Sequence, residues 1–319
     1  MSEKNSAWQV VTLYGVAHSP WVQGILLALN HHKIDTQLTS YPLSIRWFWR
    51  RGLVFPALKL NDGSIHVDSF RMYELLEENG FALGVQGVST EQRTVAQVEL
   101  EKLFSNYSLG RCIDGKRWRF IKGWSLMQES PSTLHGIVCR AFLSYYFWIL
   151  IRLVIFFTKR YDRSFFVLAE FDAHMDKWNQ QLENRKWLTG DDIGFLDFAL
   201  FGQIQCMTTG LTDELLPIIK QKAHIVRWVE KMIAITKPVA NGNPIYAQRI
   251  FEPQLVVESP PVWQRVMYWL VWSGYLLILP ITIAIVFLGF RNRFKNPAHS
   301  GAVMSKYRQQ QDRSRPPQT

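Results

Sequence analysis

Cysteine is scarce in this chain. There are three in 319 residues, Cys112, Cys139 and Cys206, with no CxxC pair and no spacing of the kind that holds a metal. That excludes a disulfide framework, a zinc ribbon and a dithiol redox motif. An odd, scattered set points to a reducing compartment, with the three thiols acting as small buried hydrophobes. A secretory leader is also missing from the reading, because the first residues, MSEKNSAWQ, are polar. Acidic residues are outnumbered, 26 against 36 Lys and Arg, for a formal charge of +10. The excess is uneven. Arg291 to Thr319 hold seven basic residues and one acid, hence +6, which leaves +4 for everything before them. The basic balance is a property of the tail, and no zinc-finger spacing or aromatic-basic motif accompanies it, so nucleic acid is not an expected partner. What the chain does have is apolar mass: 48% hydrophobic residues, 14% aromatics and 13 Trp. That excludes disorder for most of the length and suggests that some surface faces lipid, where Trp and Tyr gather.

The length accommodates two domains with real cores. No internal repeat is present. Residues 9–80 mix strand and helix signals, residues 90–245 read as helical throughout, and residues 246–261 form a linker rich in Pro and Glu. A hydrophobic segment follows over 262–290, and then a basic tail over 291–319, expected to be disordered.

In the first region VVTLY reads as a short buried strand. SPWVQGILLALNHHK follows, with Ser19 at N-cap and Pro20 at N1, a strong helix start. Val22, Leu26 and Leu29 fall on one helix face with Ile25 beside them. TQLTSY predicts a second strand and SIRWFWRRG a short helix or irregular bridge. FPALKLNDGSIHVD predicts strand, turn and strand, with Asn61-Asp62-Gly63 at the turn. SFRMYELLEENG predicts a helix with Ser69 as its cap and Gly80 as its stop.

That order, with a proline opening the third strand, resembles the thioredoxin-like domain of glutathione transferases. The segments LYGVAHSPWVQGILLAL, FPALKLNDG and VDSFRMYELLEENG carry the resemblance at the family's spacing. It continues at WLTGDDIGFLDFALFGQI, which resembles the start of the helix that nucleates the family's second domain. There Gly194 takes the N-cap and Asp197 the N3 position, with Ile193 and Phe198 at the staple positions. Relatives usually have Ser or Thr at that cap, so half of a reciprocal capping box survives. Asp197 is assigned a structural role. The implied fold is an α/β thioredoxin-like domain, then an all-α helical domain, then one C-terminal transmembrane helix. Residues 110–165 are poorly covered by the resemblance.

The resemblance also implies a ligand and a site. Glutathione is the implied co-substrate, with no metal. Pro56 would be a cis-proline, and Phe55 before it would offer its backbone to the cysteinyl part of the tripeptide. Relatives more often have a small aliphatic residue there, so Phe55 narrows the site. Asp68 would pair with the glutamyl ammonium, and Ser69 with its helix N-terminus would receive the α-carboxylate. Ser19 would donate to the thiolate, which is the nucleophile, or would serve as a cap alone. Tyr14, at the end of the first strand, is the alternative catalytic residue, and His18 is a further candidate contact to glutathione. The first loop has no cysteine, so a mixed-disulfide mechanism is disfavoured.

Val266 to Phe290 are 25 residues without a charge. As one helix they would be about 38 Å long, enough to cross a bilayer. Pro280 near the middle predicts a kink and permits a re-entrant hairpin. The tail's positive charge favours a cytoplasmic tail, whereas a single span with a cytoplasmic body would place the tail on the opposite side. IVCRAFLSYYFWILIRLVIFF is also very apolar but contains Arg140 and Arg152. It reads as a lid or membrane-hugging helix rather than a span.

The expectation is a membrane-anchored, glutathione transferase-like enzyme of the detoxifying kind, with its body in the cytoplasm. Thiolate attack on a small hydrophobic electrophile would be its reaction. Membrane lipid and a second copy of the chain are the expected macromolecular partners. The rival is a non-catalytic scaffold or ligand-binding protein of the same fold.

Overall fold

In the computed structural model the described residues are 8–15, 19–39, 56–104, 134–158, 168–207, 215–236 and 261–295. The first part opens with strand β1 (Val10–Tyr14), helix α1 (Pro20–His31) and strand β2 (Asp35–Thr39). Strands β3 (Ala57–Lys59) and β4 (Ile65–Val67) follow, then helix α2 (Ser69–Glu78). The sheet order is β2-β1-β3-β4. β1 and β2 are parallel, joined across α1, while β3 lies antiparallel to both β1 and β4. A βαβ unit followed by a ββα unit in one mixed four-stranded sheet is the thioredoxin-like arrangement. The β3–β4 turn uses Gly63 at φ 82, and Asp62 Oδ1 accepts from the Ser64 N–H at 2.8 Å.

The remaining described elements are helices: α3 (Thr90–Phe104), α4 (Leu134–Thr158), α5 (Leu168–Gln181), α6 (Phe195–Met207), α7 (Leu216–Lys220) and α8 (Ala223–Thr236). Side-chain bonds tie several of them together. Glu99 on α3 bonds His174 on α5 at 3.0 Å. Lys222 reaches Asp172 and Asp176 of α5 at 2.6 Å each. Asn179 Oδ1 accepts the His224 and Ile225 N–H groups and so caps α8 from a neighbouring helix.

α1 is buried on every side from Val22 to Leu29, not on one stripe. The sheet takes the apolar stripe, and α6, itself wholly buried, covers the opposite face. Two helices can approach this closely because glycines meet at the crossing. A Cβ on Gly202 would lie 2.5 Å from the Pro20 carbonyl oxygen and 2.6 Å from the Gly24 nitrogen, and one on Gly24 would lie 3.1 Å from the Phe198 oxygen. Beside them the Gln205 amide donates to Gln23 Oε1 at 2.8 Å, which satisfies polar atoms inside an otherwise apolar joint.

Asp197, fully buried at N3 of α6, holds the second half of that joint. Its carboxylate accepts from Leu188 N (2.9 Å), Gly194 N (3.1 Å), Thr189 Oγ1 (3.1 Å) and Trp228 Nε1 (2.8 Å). The glycine at the cap has a physical reason: a Cβ on Gly194 would run into the Thr189 hydroxyl and lie 2.6 Å from the Leu83 oxygen. The N–H of Asp197, which a Ser or Thr cap would accept, goes instead to the Gly194 carbonyl at 3.0 Å.

Two sequence expectations are corrected here. The helix after β4 is capped by Asp68, not Ser69: Asp68 Oδ1 accepts from Phe70 N at 2.9 Å and Arg71 N at 3.3 Å, and Ser69 is the first helical residue. The expected single transmembrane helix is two helices, α9 (Val262–Leu276) and α10 (Leu279–Lys295), bent by 72°. Pro280 has no N–H for the Leu276 carbonyl, and its ring displaces that carbonyl. The chain passes the break in a tight turn, Leu277 N to Gly274 O at 3.1 Å and Ile278 N to Tyr275 O at 3.2 Å. Among the described residues no single helix is long and apolar enough to cross a membrane. The bridge predicted over 44–52, most of the linker and the tail beyond Lys295 lie outside the described residues.

Asp197→Ala strands the N–H donors of Leu188, Gly194 and Trp228 and is expected to destabilise the fold by about 3 kcal/mol or more, read as a lower denaturant midpoint. Burial lifts the Asp197 carboxyl above its ordinary 3.8 while its donors pull the other way. The folded chain therefore holds this proton more tightly than the unfolded chain. The group favours the fold most below its ordinary value, and that contribution is lost as the pH rises through the lifted one. The stability of wild type relative to Asp197→Asn should accordingly fall with rising pH over the weakly acidic range. Gly202→Ala is expected to cost about 1–3 kcal/mol by the same measurement, because its Cβ meets backbone that cannot swing away.

Candidate functional site

The sheet register gathers the predicted residues at one end. Ala57 pairs with Tyr14 on one side and Val67 on the other. Pro56 and Asp68 therefore sit one residue beyond that row, next to the carboxyl end of β1. β1 and β4 both run toward this end, and each is followed by a helix. The N-termini of α1 and α2 consequently open at the same end of the sheet. Their first turns touch: the rings of Trp21 and Phe70 lie 6.3 Å apart. Sequence reasoning missed this pair. Its only signal was an aromatic at the second helical position of both helices.

Ser19 precedes α1 with an extended backbone (φ −100, ψ 125), and its carbonyl accepts the Gln23 N–H at 2.8 Å. Its side chain makes no capping bond. Of the two roles open to it in the sequence, capping is thus not the one its hydroxyl performs. In α2 the Phe70 and Arg71 amides go to Asp68 Oδ1 and the Met72 amide to Asp68 O. That pattern leaves the Ser69 N–H over, beside a side chain that is 8% exposed. The two helix N-termini, one preceded by a serine and one opened by a serine, thus lie at the same end of the sheet, and the positive end of a helix dipole suits anionic groups.

Asp68 holds φ at 79, one of two non-glycine residues among those described with positive φ. A conformation that L-residues resist persists only where its surroundings enforce it. Here the cap bonds and the β4–α2 junction do so. Tyr14 is half-buried at the end of β1, and Pro56 is buried. His18 and Phe55 lie outside the described residues. Arg71 is committed to Glu74 at 2.9 Å and Glu78 at 2.7 Å, so it is not a spare cation for a ligand carboxylate.

A cleft of about 100 Å³ opens beyond Phe70, between α2, α3 and the start of α6, and Arg93 pairs with Glu74 at its rim at 2.7 Å. It is smaller than the roughly 300 Å³ that a drug-sized ligand occupies, and so does not by itself accommodate a hydrophobic electrophile. The aromatic-rich stretch over 118–127, expected to line that second site, lies outside the described residues. No group of three or more His, Cys, Asp or Glu gathers among the described residues.

No family model matches the chain, and no curated protein matches it. Solved structures do. They include a glutathione S-transferase from Methylobacterium radiotolerans in complex with glutathione sulfonate (13% identity, 79% of this chain and 99% of that chain, TM-score 0.42). Also similar are the unclassified glutathione S-transferase 2 from Bombyx mori (15%, 72% and 90%, 0.42) and glutathione transferase F7 from Populus trichocarpa (16%, 74% and 100%, 0.40). These likenesses are distant. The sheet order and register, by themselves, define the first part of the chain as thioredoxin-like.

Asp68→Ala removes the α2 cap and is expected to lower stability by about 1 kcal/mol, whereas Asp68→Asn keeps a capping oxygen and most of the stability. Equilibrium denaturation of the two variants checks the order.

Proposed function

We propose that the chain is a glutathione transferase-like enzyme whose glutathione site is the junction of the α1 and α2 N-termini, and that it attaches to a membrane. One observation carries the site: the side chain of Ser19 makes no capping bond while lying at a helix start that touches a second helix start. A hydroxyl placed there has a proton to donate. Glutathione brings two charged ends and a thiol to such a junction. Ser69, with its N–H and the α2 dipole, would receive the glutamyl α-carboxylate. Asp68 would take the ammonium, since each oxygen of an ionised carboxyl accepts more than one hydrogen bond. The strand that follows Pro56 is short and begins at the site, so the backbone of Phe55 would lie along the cysteinyl residue. Ser19 would then donate to the sulfur, with the α1 dipole behind it. A thiol with an ordinary pKa of about 8.5 is mostly protonated at neutral pH. Lowering it by about two units raises the thiolate about a hundredfold on the dilute side of its titration.

Tyr14 remains the alternative donor, because it closes β1 one loop before Ser19. The crowding by Thr189 and Leu83 accounts for the glycine at 194 without reference to activity, so that departure from the usual cap does not favour the non-catalytic reading. Membrane attachment is supported by the uncharged run from Val266 to Phe290 and by the apolar side chains that α9, α10 and the turn between them expose, Leu270 at 62% and Leu277 at 86% among them. A cytoplasmic body, a small hydrophobic electrophile as second substrate and a second copy of the chain as partner complete the proposal.

Binding to immobilised glutathione and turnover with a chlorodinitrobenzene-type electrophile test it. Ser19→Ala should keep binding within a few-fold and lose about tenfold or more in turnover near neutral pH. Equal turnover in both forms would remove Ser19 from the mechanism and bring Tyr14→Phe forward. Asp68→Asn should weaken binding with its fold intact. Absence of binding to glutathione by the wild type would end the proposal.

A further inference from the structure

The bent pair α9–α10 raises a topological question that a straight helix does not. Its apolar surface covers opposed sides of the second helix. Ile281, Ile283, Ile285 and Phe287 are all exposed, from 38% to 61%. Residues two apart are about 200° apart on a helix, so the four fall into two groups on opposed sides, with the buried Thr282 between them. A helix resting in a protein groove needs one apolar stripe and leaves a polar back; one with an apolar back as well calls for an apolar solvent.

The ends of the pair are cationic: Arg265 in the first turns of α9, and Arg291, Arg293 and Lys295 at the end of α10, followed by Lys306, Arg308, Arg313 and Arg315 against the single Asp312. Trp263 and Trp269, exposed at 55% and 42%, flank Arg265. Aromatic and basic residues at both ends of an uncharged run are the signature of a segment whose two ends lie at headgroup level. The charge matches an anionic leaflet.

The bend fixes how far the segment reaches. α9 is about 22 Å long, and the uncharged part of α10, Leu279 to Phe290, is about 18 Å at about 1.5 Å per residue. With the 72° bend they form a wide V. Set apex inward, its arms descend about 13 Å and about 11 Å, within a single leaflet of a hydrocarbon core about 30 Å thick. The apex is Leu277, the most exposed large apolar residue described, at 86%.

α9 is not a loose tether either. It packs on α4 in a cluster separate from the main core, formed by Ile137, Ala141, Tyr145, Ile149, Tyr268 and Trp272. Within it Ser144 Oγ and Tyr268 Oη share a hydrogen bond of 2.5 Å, and Tyr145 stacks on Tyr275 at 5.4 Å.

We propose that the V of α9 and α10, docked on α4, enters one leaflet of an anionic bilayer and leaves it on the side it entered, so that the body and the basic tail share one face of the membrane. The inference rests on the membrane attachment proposed above and adds its topology. It also removes the conflict between tail charge and body location that a single span creates, because the positive tail then stays with the body.

The full chain, synthesised in a cell-free extract with sealed microsomes, tests it by flotation followed by trypsin. The expected result is that the chain floats and that trypsin, without detergent, removes the tail at Lys306, Arg308 or Arg313, read as a mass loss from the C-terminus. Leu277→Asp should reduce flotation about tenfold or more while glutathione binding stays unchanged. A floating chain whose tail resists trypsin until detergent is added would overturn the one-leaflet topology and leave attachment standing. A chain that does not float would overturn both, and its elution as a soluble oligomer would assign the apolar surface to a second copy. Unchanged flotation of Leu277→Asp would remove the apex from the bilayer.

Discussion

The crossing of α1 over α6 is the constraint on which the rest depends. At Gly24 and Gly202 two helices touch backbone to backbone, and the Gln23–Gln205 bond closes the polar gap beside them. The contact lies directly behind Pro20, whose carbonyl faces Gly202. The start of α1 is therefore held from below by the helical half of the chain, and Ser19 is held with it. Precision at a catalytic donor comes from such support. α6 in turn is fixed by Asp197, which joins the turn before the helix, the helix cap and Trp228 of α8. A chain of short contacts thus runs from the middle of the helical region to the serine.

The same logic explains why the site sits at one end of the sheet. Parallel β1 and β4 aim their following helices at a common point, and β3 brings Pro56 between them. The site's electrostatics come mostly from backbone: helix ends, one remaining amide and two serines. Among the side chains, Asp68 is occupied by its cap and Arg71 by two glutamates. In the function proposed above, specificity for a zwitterionic peptide would come from where the dipoles point more than from a cluster of charges.

Much of this was legible in the sequence. Ser19-Pro20 marked the α1 start, Asn61-Asp62-Gly63 the turn, and Pro56 the opening of β3. What was not legible depended on distant contacts. The stripe of Val22, Ile25, Leu26 and Leu29 predicted one buried face, but nothing local announced that α6 would bury the other. Asp68 and Ser69 are both good caps, and only the backbone, at φ 79, decided between them. Gly194 stands where a Ser or Thr cap was expected, and the reason lies in its neighbours Thr189 and Leu83, which leave no room for a Cβ. In the C-terminal segment the uncharged run predicts one helix, with Pro280 as a kink in it or as the turn of a re-entrant hairpin. A break of 72° follows because the turn before it closes with short i to i−3 bonds and the helix restarts at Leu279.

The central claim is that a hydroxyl and a helix dipole at Ser19 stabilise a thiolate. The most direct measurement is the titration of the glutathione thiol bound to the protein, followed by the ultraviolet absorbance of the thiolate. The account predicts a pKa about one to two units below the free value of about 8.5. A bound thiol that titrates at its free value would contradict it.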